Sequence, residues 1–254
     1  MSPPTDAHAL LKAQDILRSI NGVGMRVPGG SFKQVVLLAN EVAAEENAAL
    51  ILLLDGSFDR AAVVHARGLF ELRVSVEFIA SGGLVYLEGL PANHLLLDQR
   101  ELQAEVDRRS EAFLMYSVYW LSQRATSLSL LDIDEAVHQH AKTVDDKFGY
   151  TKNGRRWWPK TLREMASEIG QNMRYDLVYR LGSDLIHHGS HALLRYAMPP
   201  TLDWMDRELA IWSAANDLEY LLLQLESEFS LKLSEQIEEL ARLRRDLDVR
   251  LNGA

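Results

Sequence analysis

The sequence predicts an all-α protein, an antiparallel helical bundle with further helices at both ends. Three observations carry this. Apolar residues recur at spacings of three and four through most of the chain. Strand-like alternation bounded by turn signals is nearly absent. Breaks as short as "DGS" (55–57) and "SGG" (81–83) join long periodic stretches, and such connections imply antiparallel hairpins of helices.

The elements follow in order. A short helix starts after Thr5 or Asp6, either a suitable cap, and runs to about Ile20. "NGVGMRVPGG" (21–30) is a Gly-rich connector. It lacks the spacing and the lysine of a phosphate loop. Long helices are predicted over 31–54 and 58–80, with "LVYLEGLPANH" (84–94) as a turn or irregular link. A third long helix covers about 94–127, and a shorter one 133–148. "GYTKNGRRWWPKT" (149–161) reads as a loop. Thr161 with Glu164 three residues on forms a capping box that opens the next helix. A helix over 173–188 ends near Gly189. "MPPT" (198–201) then breaks the chain before helices over 202–226 and 231–251. The last, "EQIEELARLRRDLDVRL", carries opposite charges at helical neighbour spacing. The domain reading is an N-terminal helix and connector (1–30), a bundle core (31–198), and C-terminal helices (199–254) that pack on the core or at an interface.

Bulk properties bound the function. The 254 residues can bury a sizeable core. A net charge of −9 gives the surface as a whole no attraction for phosphate backbones, though a local basic patch remains compatible with it. With no cysteine there is neither a disulfide nor a thiolate metal site, which fits a reducing cytoplasm. The N-terminus lacks the basic start and apolar run of a secretory signal. The most apolar stretch, "AALILLLDG", is too short to cross a bilayer, so no membrane association is expected.

Helical-wheel positions single out charges on apolar faces. Residues three, four or seven apart share a face. Arg67 and Glu71 fall in the sector of Val63, Val74 and Phe78, whereas Arg73 and Glu77 point where solvent is expected. Glu46 shares a sector with Val35, Ala39, Val42, Leu50 and Leu53. A charge buried without a partner costs several kcal/mol, roughly, so an inward Arg67 needs a carboxylate. On the helix over 173–188, Leu177, Leu181 and Leu185 form an apolar stripe. Arg180, Asp184 and His187 form a polar one beside it, with His191 continuing it if the helix survives Gly189. Tyr179, Ser183 and Ile186 border the other flank, which places the polar stripe at a cleft edge.

One reading of these side chains, which depends on the HEPN-like resemblance given below, is RNA cleavage. His187 would transfer protons near neutrality, Arg180 would stabilise charge at the phosphate, and Asp184 would orient His187. Arg155, Arg156, Trp157 and Trp158 in "KNGRRWW" offer cations and aromatic faces suited to single-stranded RNA, or else a loop tucked into the bundle. Two alternatives stay open. One is a non-catalytic interaction module in which Arg67, Glu71 and Arg180 only set helix register. The other is a di-metal bundle, since Glu135–His138 and Asp184–His187 both have carboxylate-x-x-His spacing and Glu46 and Glu71 could add carboxylates. Arg67 and Arg180 would crowd such a cation, and no metal or cofactor is expected.

"ARGLFELRVSVEFI" (66–79) and "YDLVYRLGSDLIHHGS" (175–190) resemble the two motif helices of an uncharacterised bacterial family, domain of unknown function 5677. The first matches its Arg-x-x-x-Glu pattern at Arg67 and Glu71. The second matches its Tyr-Arg-x-x-Ser-x-x-x-His pattern at Tyr179, Arg180, Ser183 and His187. The likeness covers about residues 35–195. A wider resemblance is to HEPN-like all-α proteins, many of them metal-independent ribonucleases of toxin, defence and RNA-processing systems. Their hallmark, an Arg and a His separated by four to six residues, fits Arg180 and His187, which are separated by six. The departure is Leu181, where those enzymes usually carry a polar residue. What this resemblance implies is a four-helix core, a site containing Arg180, His187, Asp184, Arg67 and Glu71, a homodimer, and RNA as a partner. A protein partner through the C-terminal helices is the corresponding expectation for the non-catalytic alternative.

Overall fold

A computed structural model describes residues 5–21, 31–82, 99–128, 135–186 and 203–252. Every regular element among them is helical. They are α1 (Thr5–Asn21), α2 (Ser31–Asp55), α3 (Asp59–Ala80), α4 (Gln99–Leu128), α5 (Glu135–Phe148), α6 (Leu162–Glu168) and α7 (Asn172–Arg174). A π-helical turn (Tyr175–Tyr179) leads directly into α8 (Arg180–Ile186), and α9 (Asp203–Phe229) and α10 (Ser234–Asn252) follow. The predicted helices are thus present. The connectors at 22–30 and 84–94, the start of the third long helix and His187, His188 and His191 lie outside the described residues.

The chain forms two compact units that do not follow chain order. The first comprises 1–26, 36–76 and 171–254, and the second 27–35 and 77–170.

In the first unit, α9 and α10 form a hairpin against which α1 packs. Leu218, Leu222, Leu240 and Leu247 are fully buried there. Ion pairs rim the seam: Arg244 Nε meets Glu219 Oε2 at 2.9 Å, Arg250 meets Glu208 at 3.0 Å, and Lys12 of α1 meets Glu239 at 2.5 Å. Glu239, Arg244 and Arg250 of the last helix thus pair with α1 and α9, while Glu238 and Arg242 pair with each other on its exposed side. Helix α2 is fastened to α1 by side-chain amides. Asn40 and Asn47, one heptad apart, donate to the carbonyls of Leu17 (3.1 Å) and Leu10 (3.0 Å), and Gln14 donates back to Ala44 (2.9 Å). Buried amides need such partners, and these fix the register of the two helices. The buried face of α2 includes Val35, Ala39 and Leu50 of the predicted stripe and is wider than it, taking in Val36, Asn40, Ala43, Ala44, Asn47 and Leu54 as well. Val42, expected inside, is 45 % exposed.

In the second unit, α4 and α5 pair around Tyr119, Val144 and Tyr150. The predicted capping box is present: Glu164 N–H donates to Thr161 Oγ1 at 3.2 Å, and Thr161 N–H donates to Glu164 Oε2 at 2.6 Å. These bonds hold the Glu164 carboxyl below its ordinary pKa. The loop after α5 folds back on its own unit. Trp158 is 7 % exposed and makes an edge contact with Phe78, while Trp157 makes edge contacts with Phe78 and Phe113. Arg108 lies over the Trp158 ring at 4.5 Å, and Arg109 lies over Phe78 at 3.9 Å. Arg109 is itself buried, donating to the Phe78 carbonyl at 2.7 Å and to Glu105 at 2.8 Å. The two indoles are thus used largely as packing surface, because a buried indole gains more from apolar area than an exposed one.

Candidate functional site

The site forms in the first unit, where the two motif helices meet. Helix α3 is apolar and buried on most sides: Ala62, Val63, Ala66, Leu69, Phe70, Val74 and Val76 are all fully buried. At its edge, Arg67 donates through Nε to Glu71 Oε1 at 2.8 Å, and its Nη2 lies 2.8 Å from the same oxygen. The Arg67 side chain is 15 % exposed and that of Glu71 41 %. Arg67 is mostly enclosed as expected, whereas Glu71 is half open, at the edge of the apolar face and not in its middle.

The second motif covers Arg67 directly. Its guanidinium carbon lies 4.4 Å from the centroid of the Tyr179 ring, and Tyr179 is stacked on Tyr175 at 4.7 Å. Gly182 lies against the Arg67 stem. A Cβ at that position would be 2.9 Å from Arg67 Cβ and 3.0 Å from Cδ. Glycine at 182 is thus what allows α8 to approach α3 this closely. A second pair extends the cluster: His65 Nδ1 lies 2.7 Å from Glu46 Oε2, and Glu46 packs against Gly68.

Burial raises the Glu71 carboxyl above its ordinary pKa, the Arg67 charge and hydrogen bond oppose this, and the Glu46 charge adds to the rise. Glu71 therefore holds its proton to a higher pH than an ordinary carboxylate, a property of acid and base groups in sites.

The π turn changes the phase of the second motif. A regular wheel assumes about 100° per residue, and a π turn takes a smaller angular step. Of the residues of this segment whose burial is described, Arg174, Val178 and Gly182, four apart, are buried, and Leu177 and Leu181 of the predicted stripe are not. Leu177, expected inside, is 46 % exposed. Arg180 faces outward, its side chain 67 % exposed and 3.4 Å from Asp176. Asp184 lies on α8, and His187 follows immediately beyond the described residues. Of the loop residues, Arg155 is exposed at φ 61°, and Arg156 Nε donates to the Asn153 carbonyl at 2.7 Å.

One expectation is corrected. Arg73 does not face solvent: it is 9 % exposed, donates to the side chain of Asn216, stacks 4.9 Å from the Tyr220 ring and lies 3.7 Å from Asp217. Arg174 Nη2 reaches the same Asp217 oxygen at 2.7 Å and Ser213 Oγ at 3.1 Å. Helix α9 covers α3 at this position through Asn216, Asp217 and Tyr220. This Arg73–Asp217–Arg174 triad was missed by helix-by-helix wheels, since its charges come from three elements. His65 was missed for the same reason. As for metals, among the described residues no three His, Asp or Glu side chains are grouped to hold an ion, and His138 Nδ1 lies 2.7 Å from Ser122 Oγ.

The geometry thus defines an all-α protein whose two motif helices share one polar cluster. The chain belongs to a family of unknown function, DUF5677, whose model matches residues 43–201. That span contains α3, the π turn and α8, and so every member of the cluster. No curated protein and no solved structure matches the chain. Among the described residues no helix is long and apolar enough to cross a membrane.

Proposed function

We propose that the chain is a metal-independent endoribonuclease acting as a homodimer, with Arg180, Asp184 and His187 at its reactive edge and Arg67 and Glu71 behind them. The observation that carries this reading is the seating of the Arg180-bearing helix on Arg67 through Tyr179 and Gly182. It brings the helix that carries Arg180 against the helix that carries Arg67 and Glu71. RNA brings its own nucleophile. A base removes the 2′-hydroxyl proton, the oxygen attacks phosphorus, and the bond to the 5′-oxygen breaks as an acid protonates it. Glu71 and His187 are suited to the proton transfers, and Arg180 to the charge on the phosphate.

Incubating the full chain with single-stranded and hairpin RNAs in the presence of EDTA tests this. Wild type is expected to cleave, and His187→Ala and Arg180→Ala to lose about 10²–10⁴-fold in rate at unchanged melting temperature. No cleavage by wild type, or equal cleavage by the variants, would overturn the reading. A non-catalytic module is the second reading, favoured by the full engagement of Arg67 with Glu71 and Tyr179. Its prediction is the first of those negative outcomes.

A further inference from the structure

The Arg67–Glu71 cluster contains a second acid–base pair, Glu46 and His65, to which the ribonuclease reading gives no task. Residues three apart on a helix are neighbours, with Cβ atoms roughly 5–6 Å apart. His65, Gly68 and Glu71 therefore stand in one row along α3. Gly68 brings no side chain to the middle rung, and the Glu46 carboxyl of α2 fills it. A Cβ on Gly68 would lie 2.8 Å from Glu46 Cδ and 2.9 and 3.0 Å from its two oxygens. His65 Nδ1 meets the same carboxyl at 2.7 Å. The row thus reads imidazole, carboxyl, carboxyl, with the Arg67 guanidinium beside the last.

Packing alone does not call for this arrangement. Glu46 brings a second carboxyl beside Glu71, where like charges oppose each other. An alanine at 68 would favour the helix and close the rung that Glu46 occupies. The row is also open to water, since the side chains of His65 and Glu46 are 33 % and 31 % exposed. Among the described residues, the charged groups that act on Glu71 are Arg67 of its own helix and Glu46 of α2, and the π turn contributes Tyr179 over Arg67.

We infer that Glu46 and His65 are positioning residues of this site: Glu46 acts on Glu71 across the Gly68 rung, and His65 sets how much of the Glu46 charge Glu71 meets. The signs follow from charge. An anionic Glu46 makes a second anion at Glu71 costlier, so Glu71 keeps its proton. A donor on Glu46, most of all a cationic imidazole, draws off part of that charge. In the cleavage reaction Glu71 then gives its proton to the departing 5′-oxygen. That step rests on the ribonuclease reading, whereas the coupling of the three groups does not.

Titration of the Glu71 carboxyl by carbon-13 NMR on the full chain tests the coupling without RNA. Glu46→Gln is expected to move the midpoint down by about 0.5–1 in pH, the effect of one charge roughly 6 Å away at an effective dielectric constant of about 40–80. Gly68→Ala, which pushes the Glu46 carboxyl aside and alters no charge, is expected to move it the same way. His65→Gln is expected to move it up, an opposite sign that a general loosening of the packing would not give. An unmoved midpoint in Glu46→Gln, or shifts of the same sign in Glu46→Gln and His65→Gln, would overturn the inference. In the RNA assay, the alkaline limb of the pH–rate profile is expected to move with the Glu71 midpoint. A limb that stays in place while the midpoint moves would overturn the positioning role alone. No cleavage by wild type would overturn the ribonuclease reading, and the titration would still decide the coupling.

Discussion

Asp217→Ala lowers the unfolding free energy by about 3–5 kcal/mol, the usual cost of removing one partner from a buried ion pair. The side chain is 0 % exposed and 2.7 Å from Arg174, with Arg73 at 3.7 Å and Ser213 Oγ donating to its other oxygen at 3.2 Å. Its removal leaves two guanidinium groups in the interior with no carboxylate between them. Asp217→Asn keeps an acceptor and removes only the charge, so it falls between wild type and alanine. Urea unfolding followed by circular dichroism reads both. A loss under about 1 kcal/mol for alanine, typical of an exposed pair, would mean that the triad is wetter than its geometry implies.

The second large effect is at Gly182. A valine there costs about 2–3 kcal/mol, because its branched carbon enters space held by the Arg67 stem. That stem is tied to the α3 backbone and cannot swing away. Gly68→Ala is the contrast. Its new methyl meets the Glu46 carboxyl, the far end of a flexible side chain, and the helix gains roughly 1 kcal/mol from replacing glycine. The net change there is near zero. Similar losses at both positions would contradict the assignment of Gly182 as the close-approach residue.

What was legible in the sequence tracks what each signal measures. Helix extents follow from local patterns, and α2, α3 and the Thr161–Glu164 box lie where those patterns put them. The Arg67–Glu71 pair was legible because both residues lie on one helix at a spacing of four. Arg73 was not, because a wheel assigns one solvent face and α3 has neighbours on more than one side. The 173–188 segment failed through its π turn, which breaks the constant angular step and moved Leu177 outward and Arg174 inward. The tryptophans were legible as aromatic surface but not as packed against Phe78 and Phe113, since that depends on a loop folding back.

The central claim is that two motifs more than 100 residues apart form one interacting cluster. A double-mutant cycle on Arg67→Met and Tyr179→Leu, read by urea unfolding, tests it most directly. A guanidinium held 4.4 Å over a ring in a mostly enclosed site predicts a coupling of about 0.5–2 kcal/mol. Additivity within about 0.3 kcal/mol would contradict it, leaving the two motifs as neighbours that do not act together.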